Sequence, residues 1–398
     1  MFENIIGQRS AVSRLRSEAE HRILPPTLLF AGPDYAGKSS TALELARALT
    51  CTGEDRSAPW TCSCRSCRQQ RHLLHPETLL VGSRYFAREI HVAIHALKRT
   101  DRRPVRFLLE RSVRKLSRRY DEELWDGDHS RAKKVEPILG KLDEALAPYL
   151  PDAEPLPEEE FIAGLENLEK LCGSLIDAGS LDAPVDVVRK LSAWSHVTPA
   201  GPAKVAIIEN VERLGESATN ALLKTLEEPA HGVYFVLTTR RKGAVLATIR
   251  SRARAYEFTP RDIRESGTVI SRIFRDETAE GSSIRDYFMV RDGRGLRPLA
   301  ERFVESCLSG GEIELGMLEE IQQSLAHLGG TDGFFYFTEE LTELFRELLH
   351  AQRQIDAPRI EAWRDLLQLW TRRVELYRMQ PGRALEAIYY GMRDAIGA

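Results

Sequence analysis

The sequence predicts an α/β front half on a parallel sheet, interrupted by a helical insertion and followed by an all-α tail. Three observations carry this. Thr27-Leu28-Leu29-Phe30-Ala31 is an apolar, β-prone run; the loop Gly32 to Gly37 and an Ala/Leu-rich helix from Lys38 to Leu49 follow, the order of a βα unit. Lys204 to Ile208 and Val233 to Leu237 are two more such runs with a helix, Ser217 to Leu226, between them, and strands alternating with helices build a parallel sheet. From about residue 260 apolar side chains recur at three- and four-residue steps, as in Leu341, Leu344, Phe345, Leu348 and in Trp363, Leu366, Leu367, Trp370, Val374.

In chain order, Ser10 to Arg22 carries charges at helical spacing and stops at Pro25-Pro26, which leads into the first strand. Residues 85–182 read as a helical, charged insertion. Val105, Leu109, Val113 and Leu116 mark one apolar face, Val135, Ile138, Leu142 and Leu146 a second, and Phe161, Leu165, Leu168 and Leu175 a third, with Pro148, Pro151, Pro155 and Pro157 separating the last two. A chain of 398 residues exceeds one ordinary core. With 42% hydrophobic and 29% charged residues it is a folding composition, and no run of eighteen apolar residues offers a membrane helix. Met1-Phe2-Glu3-Asn4 lacks the basic start and apolar core of a signal peptide, so a cytoplasmic location is expected. A net charge of -3 sets up no overall field toward a polyanion; contact with nucleic acid would need a local patch.

Gly32-x-x-x-x-Gly37-Lys38-Ser39 satisfies the P-loop pattern between a strand and a helix. Backbone N–H groups freed by Gly32 and Gly37 turn to phosphate oxygens at the helix N-terminus, Lys38 reaches the terminal phosphates, and the Ser39 hydroxyl, with Ser40 beside it, serves Mg²⁺. ATP or ADP with Mg²⁺ is the expected ligand. Hydrolysis also needs a carboxylate pair at the end of a neighbouring strand, and the candidate is Ile207-Ile208-Glu209-Asn210. Glu209 is one methylene longer than the usual Asp, and Asn210 cannot accept a proton in place of the usual Glu. Loss of such a base removes about 10²–10⁴ of rate, so binding without turnover is expected.

Cys51, Cys62, Cys64 and Cys67 lie within seventeen residues. In a reducing compartment that density reads as a tetrahedral Zn²⁺ site with a structural role. Cys172 and Cys307 stand alone and read as buried thiols.

Asn220-Ala221-Leu222-Leu223-Lys224-Thr225-Leu226-Glu227-Glu228-Pro229 is nearly the signature helix of bacterial DNA polymerase III clamp-loader subunits. Phe2 to Gln8 resembles their opening box, Leu246-Ala247-Thr248-Ile249-Arg250-Ser251-Arg252-Ala253 their Ser-Arg-Cys region, and His75-Pro76-Glu77 their His-Pro-Asp. On these motifs the chain resembles that family, and within it the delta-prime branch more than the gamma/tau branch. The resemblance implies an AAA+ P-loop domain over 1–84 and 183–259 with its zinc module at 51–67, the insertion at 85–182, a helical lid over 260–310 and a helical collar over 311–398. It implies assembly with gamma/tau and delta subunits in a pentameric ring, acting on a sliding clamp and primed DNA, with no membrane. It assigns Arg252 as a finger reaching the neighbour's ATP site, Thr239 (beside Thr238) as the first sensor, and Arg297, in Arg294-Gly295-Leu296-Arg297, as the second. The implied role is a non-hydrolysing subunit that lends Arg252 to an adjacent motor. One alternative is a gamma/tau-like ATPase working with Glu209 and Glu212, and another is a free-standing zinc and nucleic-acid module.

The insertion supplies the last feature. Lys98 to Arg119 holds ten basic residues against Asp101 and Glu110. Such a helix could grip a phosphate backbone. It could equally pair with the acidic residues that follow, Asp121, Glu122, Glu123, Asp126, Asp128 and Glu158 to Glu160.

Overall fold

The structure, a computed structural model, describes residues 1–55, 57–125, 129–178, 183–279, 281–291, 296–310, 312–327, 330–350, 357–377 and 379–397. Asp126, Asp128, Arg294 and Gly295 lie outside them. The chain divides into two compact units, residues 1–288 and 289–398.

Unit 1 contains α1 (Arg9–Glu20), β1 (Thr27–Ala31), α2 (Lys38–Leu49), α3 (Arg65–Arg71), β2 (Thr78–Val81), α4 (Phe86–Arg99), α5 (Arg103–Ser117), α6 (Glu122–Trp125), α7 (His129–Leu146), α8 (Glu158–Ala178) and α9 (Val185–His196). It continues with β3 (Lys204–Ile208), α10 (Glu216–Glu227), β4 (Val233–Thr239), α11 (Ala247–Arg250), β5 (Arg254–Glu257), α12 (Ile263–Ile273) and the start of α13 (Ile284–Arg291). All five strands run parallel in the order β2-β3-β4-β1-β5. Alternation along the strands sends Leu29, Leu79, Ile208, Phe235 and Leu237 to one face, under α9 and α10. Leu28, Phe30, Val205, Ile207 and Val236 go to the other, under α1 and α2. Burial on both faces explains why β1 and β3 read as unbroken apolar runs.

The α/β class with a parallel sheet and helical remainder is the one observed. The sequence showed the central strands β1, β3 and β4; the edge strands β2 and β5 carry only four residues each, too few for a periodic signal. The insertion forms its own core, with Leu97, Leu109, Leu116, Leu142, Leu165 and Leu168 among its fully buried members. The segment 260–310 straddles the two units. Val269, Ile270 and Phe274 of α12 pack with Val92 and Phe288 in unit 1.

Among its described residues unit 2 forms helices without strands: α14 (Leu296–Leu308), α15 (Leu315–His327), α16 (Thr331–His350), α17 (Ala357–Tyr377) and α18 (Pro381–Gly397). The apolar stripes of its sequence are its core. Phe303 meets Phe337 and Tyr389 at 5.5 and 5.3 Å, and Trp363 packs on Phe345 and donates to the Met392 carbonyl at 2.9 Å.

Candidate functional site

The strand order β3-β4-β1 brings three loop beginnings to one edge of the sheet: Gly32 after β1, Glu209 after β3 and Thr239 at the end of β4. Gly32 (φ +156°) is required there, because a Cβ would lie 2.1 Å from the Phe258 carbonyl oxygen. Gly37, also at positive φ, ends the loop, and no side chain caps the first turn of α2. Its free N–H groups and the helix dipole make an anion site. Lys38 folds back on the loop, donating to the Gly32 and Pro33 carbonyls at 2.5 and 2.6 Å. Burial pulls its ammonium down to about 8, against the opposing pull of Asp34.

Glu209 is tied up. Its carboxylate accepts from the Ser39 hydroxyl and forms ion pairs with Arg119 and, at 3.0 Å, with Arg84. Arg84 also pairs with Glu89 at 2.9 Å, and Lys115 pairs with Glu89. Burial by itself would raise the Glu209 carboxyl, but the Arg84 and Arg119 charges and the Ser39 hydroxyl outweigh it and hold it at about 2. Asn210 donates to the Ser83 carbonyl at 2.7 Å, a structural contact. Glu212 accepts from the Arg240 N–H at 3.0 Å and is not among the residues lining the cavity.

A cavity of about 470 Å³ opens beside the loop, lined by Gly37, Lys38, Ser39, Ser40, Glu209 and Thr238 together with residues of α5 and α12. Tyr35 (φ +59°) stacks on Tyr85 at 4.9 Å and Phe288 at 5.1 Å, which turns its ring into part of an aromatic wall. At the end of β4 the cavity is met by Thr238, whereas the Thr239 hydroxyl is engaged by the Arg241 backbone at 3.1 and 3.2 Å. Alternation along the strand turns neighbouring side chains to opposite faces. Arg297 belongs to unit 2, where it pairs with Glu301 at 2.8 Å and with Glu347.

The residues suit phosphate better than they suit Mg²⁺. The hydroxyl and carboxylate that would hold the metal are hydrogen-bonded to each other, and a dication there would sit against two guanidinium groups. The expected Mg²⁺ role of Ser39 and Glu209 therefore does not fit this structure.

Arg252 is exposed on the turn after α11. It donates to the Thr248 carbonyl at 2.9 Å and pairs with Glu227, half exposed at the end of α10, at 2.6 Å. This exposed ion pair links α10 to the Ser-Arg segment, whose Ile249 shares a core with Leu222 and Leu226 of that helix.

The four cysteine sulfurs lie within 4.8 Å of one another, Cys51 at 3.7 Å from Cys62 and 3.9 Å from Cys64. A tetrahedral metal with bonds of about 2.3 Å needs sulfurs about 3.8 Å apart, so the set fits. The backbone N–H of Cys67 donates to the Cys64 sulfur and that of Gly53 to the Cys51 sulfur, both at 3.4 Å, and buried Arg47 donates to the Cys67 sulfur at 3.1 Å. Burial pushes the Cys51 and Cys67 thiols up, whereas at Cys64 burial is outweighed by hydrogen bonds to the sulfur, which hold the thiol at about 5. The single residue between Cys62 and Cys64 is accommodated because Cys64 caps α3. His75 is not a ligand; it bonds Ser66 at 2.9 Å behind the module.

A family model described as DNA polymerase III, delta subunit, matches residues 7–106 and 172–262. The delta-prime subunit of DNA polymerase III from Escherichia coli (strain K12) is 39% identical over 92 residues, 23% of this chain and 27% of that protein. The Yersinia pestis delta-prime subunit is 42% identical over 78 residues, 19% of this chain and 23% of that one. The tau subunit of Bacillus subtilis (strain 168) is 35% identical over 115 residues, 28% of this chain and 20% of that one. Every one of these matches is to a DNA polymerase III clamp-loader subunit, so residues 7–106 and 172–262 are similar to that family. The chain spans about a quarter of the length of the curated delta-prime relatives it matches.

The clamp-loader match skips residues 107–171, within the helical insertion. The basic run is not one helix but is divided among the end of α4, α5 and the turn after it, and it faces largely inward. Arg99 pairs with Asp276, Arg106 with Asp101, Arg114 with Glu110, Arg118 with Asp121 and Arg119 with Glu209. Asp121 is the one member of the expected acidic stretch that these pairs use. The other partners come from α5 itself, the link before it, the sheet edge and the segment after α12. Sequence reasoning missed Arg84, Glu89 and Arg119 as members of the P-loop site. The charge of the run was visible, but nothing local placed Arg119 against a carboxylate ninety residues away.

Proposed function

We propose that the chain is a delta-prime-like subunit of the DNA polymerase III clamp loader. It acts in the cytoplasm, in a pentameric ring with gamma/tau and delta subunits, as a non-hydrolysing member that helps place the sliding clamp on primed DNA. The P-loop domain takes 1–84 and 183–259, with the lid and collar following; Thr238, which meets the cavity where Thr239 does not, takes the first sensor role, and Arg297 of the lid segment the second. One contrast supports this reading above all. Glu209 is buried with its carboxylate oxygens held by two arginines and the Ser39 hydroxyl, while Arg252 stands exposed and lightly held where it can serve a neighbour. A guanidinium on a developing γ-phosphate charge is worth about 10³–10⁵ in rate.

In the reconstituted complex Arg252→Ala should leave assembly intact and cut DNA-stimulated hydrolysis at the adjoining site by about 10³. Unchanged hydrolysis sinks the finger. Steady ATP turnover by the isolated chain, abolished by Lys38→Ala, would instead select the gamma/tau-like reading. Zn²⁺ is the metal proposed for Cys51, Cys62, Cys64 and Cys67, with a structural role. Metal analysis should find one Zn²⁺ per chain, released by chelation; a content near zero removes this part.

A further inference from the structure

Building on the nucleotide site proposed above, we propose that the P-loop pocket takes the phosphates of a nucleoside diphosphate without Mg²⁺, Lys38, the Arg84 guanidinium and the N-terminus of α2 supplying the positive charge that the metal supplies elsewhere while Arg119 holds Glu209 from behind. The two groups usually left open for the metal are closed on each other, since the Ser39 hydroxyl donates to Glu209 and both arginines grip the same carboxylate. Mg²⁺ entering here would have to displace them.

Phosphate has no such obstacle. Nine basic and four acidic side chains line the cavity, and the uncapped N-terminus of the twelve-residue helix α2 adds its dipole. Arg84 lines the cavity with only 8% of its side chain exposed, and its Nε has no hydrogen-bond partner among the described residues. A buried guanidinium N–H without an acceptor is costly, and an anion in the cavity would relieve it. The aromatic wall of Tyr35, Tyr85 and Phe288 suits a base at the other end. Arg119 and Lys115 come from the stretch 107–171 that the family match skips, so the arrangement is built by the insertion. It also gives that insertion a role: its buried arginine locks the Walker-type carboxylate in place.

The full chain is titrated calorimetrically with ADP in EDTA and again in excess Mg²⁺, with Lys38→Ala to locate the signal. The expected affinity in EDTA equals or exceeds that in Mg²⁺, and Lys38→Ala lowers it by about tenfold or more. Binding at least about tenfold weaker in EDTA overturns the proposal while leaving a nucleotide site, and no binding in either buffer overturns both. The Arg252 finger is judged by the complex's ATPase in either case. Glu209→Gln, checked for folding by circular dichroism, is the second variant. Removing the negative charge that neutralises the arginines should tighten ADP severalfold in EDTA. Weakened binding by the folded variant in Mg²⁺, with no gain in EDTA, would show that Glu209 works through a metal and would overturn the proposal.

Discussion

Two sets of arginines in this molecule have opposite fates. Arg84 and Arg119 are buried against a carboxylate they share, and Arg252 lies at the surface against a carboxylate that is itself half exposed. In the interior, screening is weak and water cannot replace a lost partner, so the buried groups are committed to the positions they hold. At the surface an ion pair is worth about 0–1 kcal/mol, so Arg252 can leave Glu227 at little cost. Residue type does not make an arginine structural or functional. The dielectric around it does.

The sharpest way to break this contrast is Arg119→Ala. It leaves a buried carboxylate short of a partner and should cost about 3–5 kcal/mol in chemical denaturation. A loss below about 1 kcal/mol would place Glu209 in a far wetter site than the structure shows. Next comes pH. Glu209 titrates near 2 in the folded chain against 4.5 for the ordinary group, so its contribution is fully present above pH 4.5 and is lost as pH falls toward 2. The size is about 3 kcal/mol. Arg119→Ala should therefore flatten the acid limb of the stability–pH curve, and an unchanged limb would assign acid sensitivity to other carboxylates. Arg252→Ala should shift stability by about 0.5 kcal/mol or less and leave the acid limb alone. The smallest effect belongs to Glu227→Gln, which should melt like the parent and retain complex ATPase. A strong loss of ATPase would mean that Glu227 orients the finger instead of merely parking it.

Much of the fold was legible because burial on two faces writes long apolar runs, and β1, β3 and β4 are such runs. The short edge strands were not, since four residues carry too little pattern and β5 leaves Arg254 and Glu257 in solvent. At the site, Gly32, Gly37, Lys38 and the cysteine cluster could be read from spacing, because their geometry is local. Thr238 and Thr239 could not be told apart from sequence, because which of two neighbours faces the cavity depends on how the strand sits in the sheet. The insertion's charge was legible and its direction was not. A run of ten basic residues looks the same in sequence whether it faces a polyanion or a set of carboxylates.

The sequence by itself determined the α/β class, the position of the P-loop pattern, the four thiols and the replacement of the usual Asp-Glu pair by Glu209-Asn210, since each depends on residues within a few positions of one another. Only the tertiary structure decided what became of the charges. Ser39 and Glu209 meet across 170 residues, and Arg119 arrives from an insertion with its own core. Coulomb interactions act through space and strengthen with burial, and neither distance nor burial is written in the order of the chain.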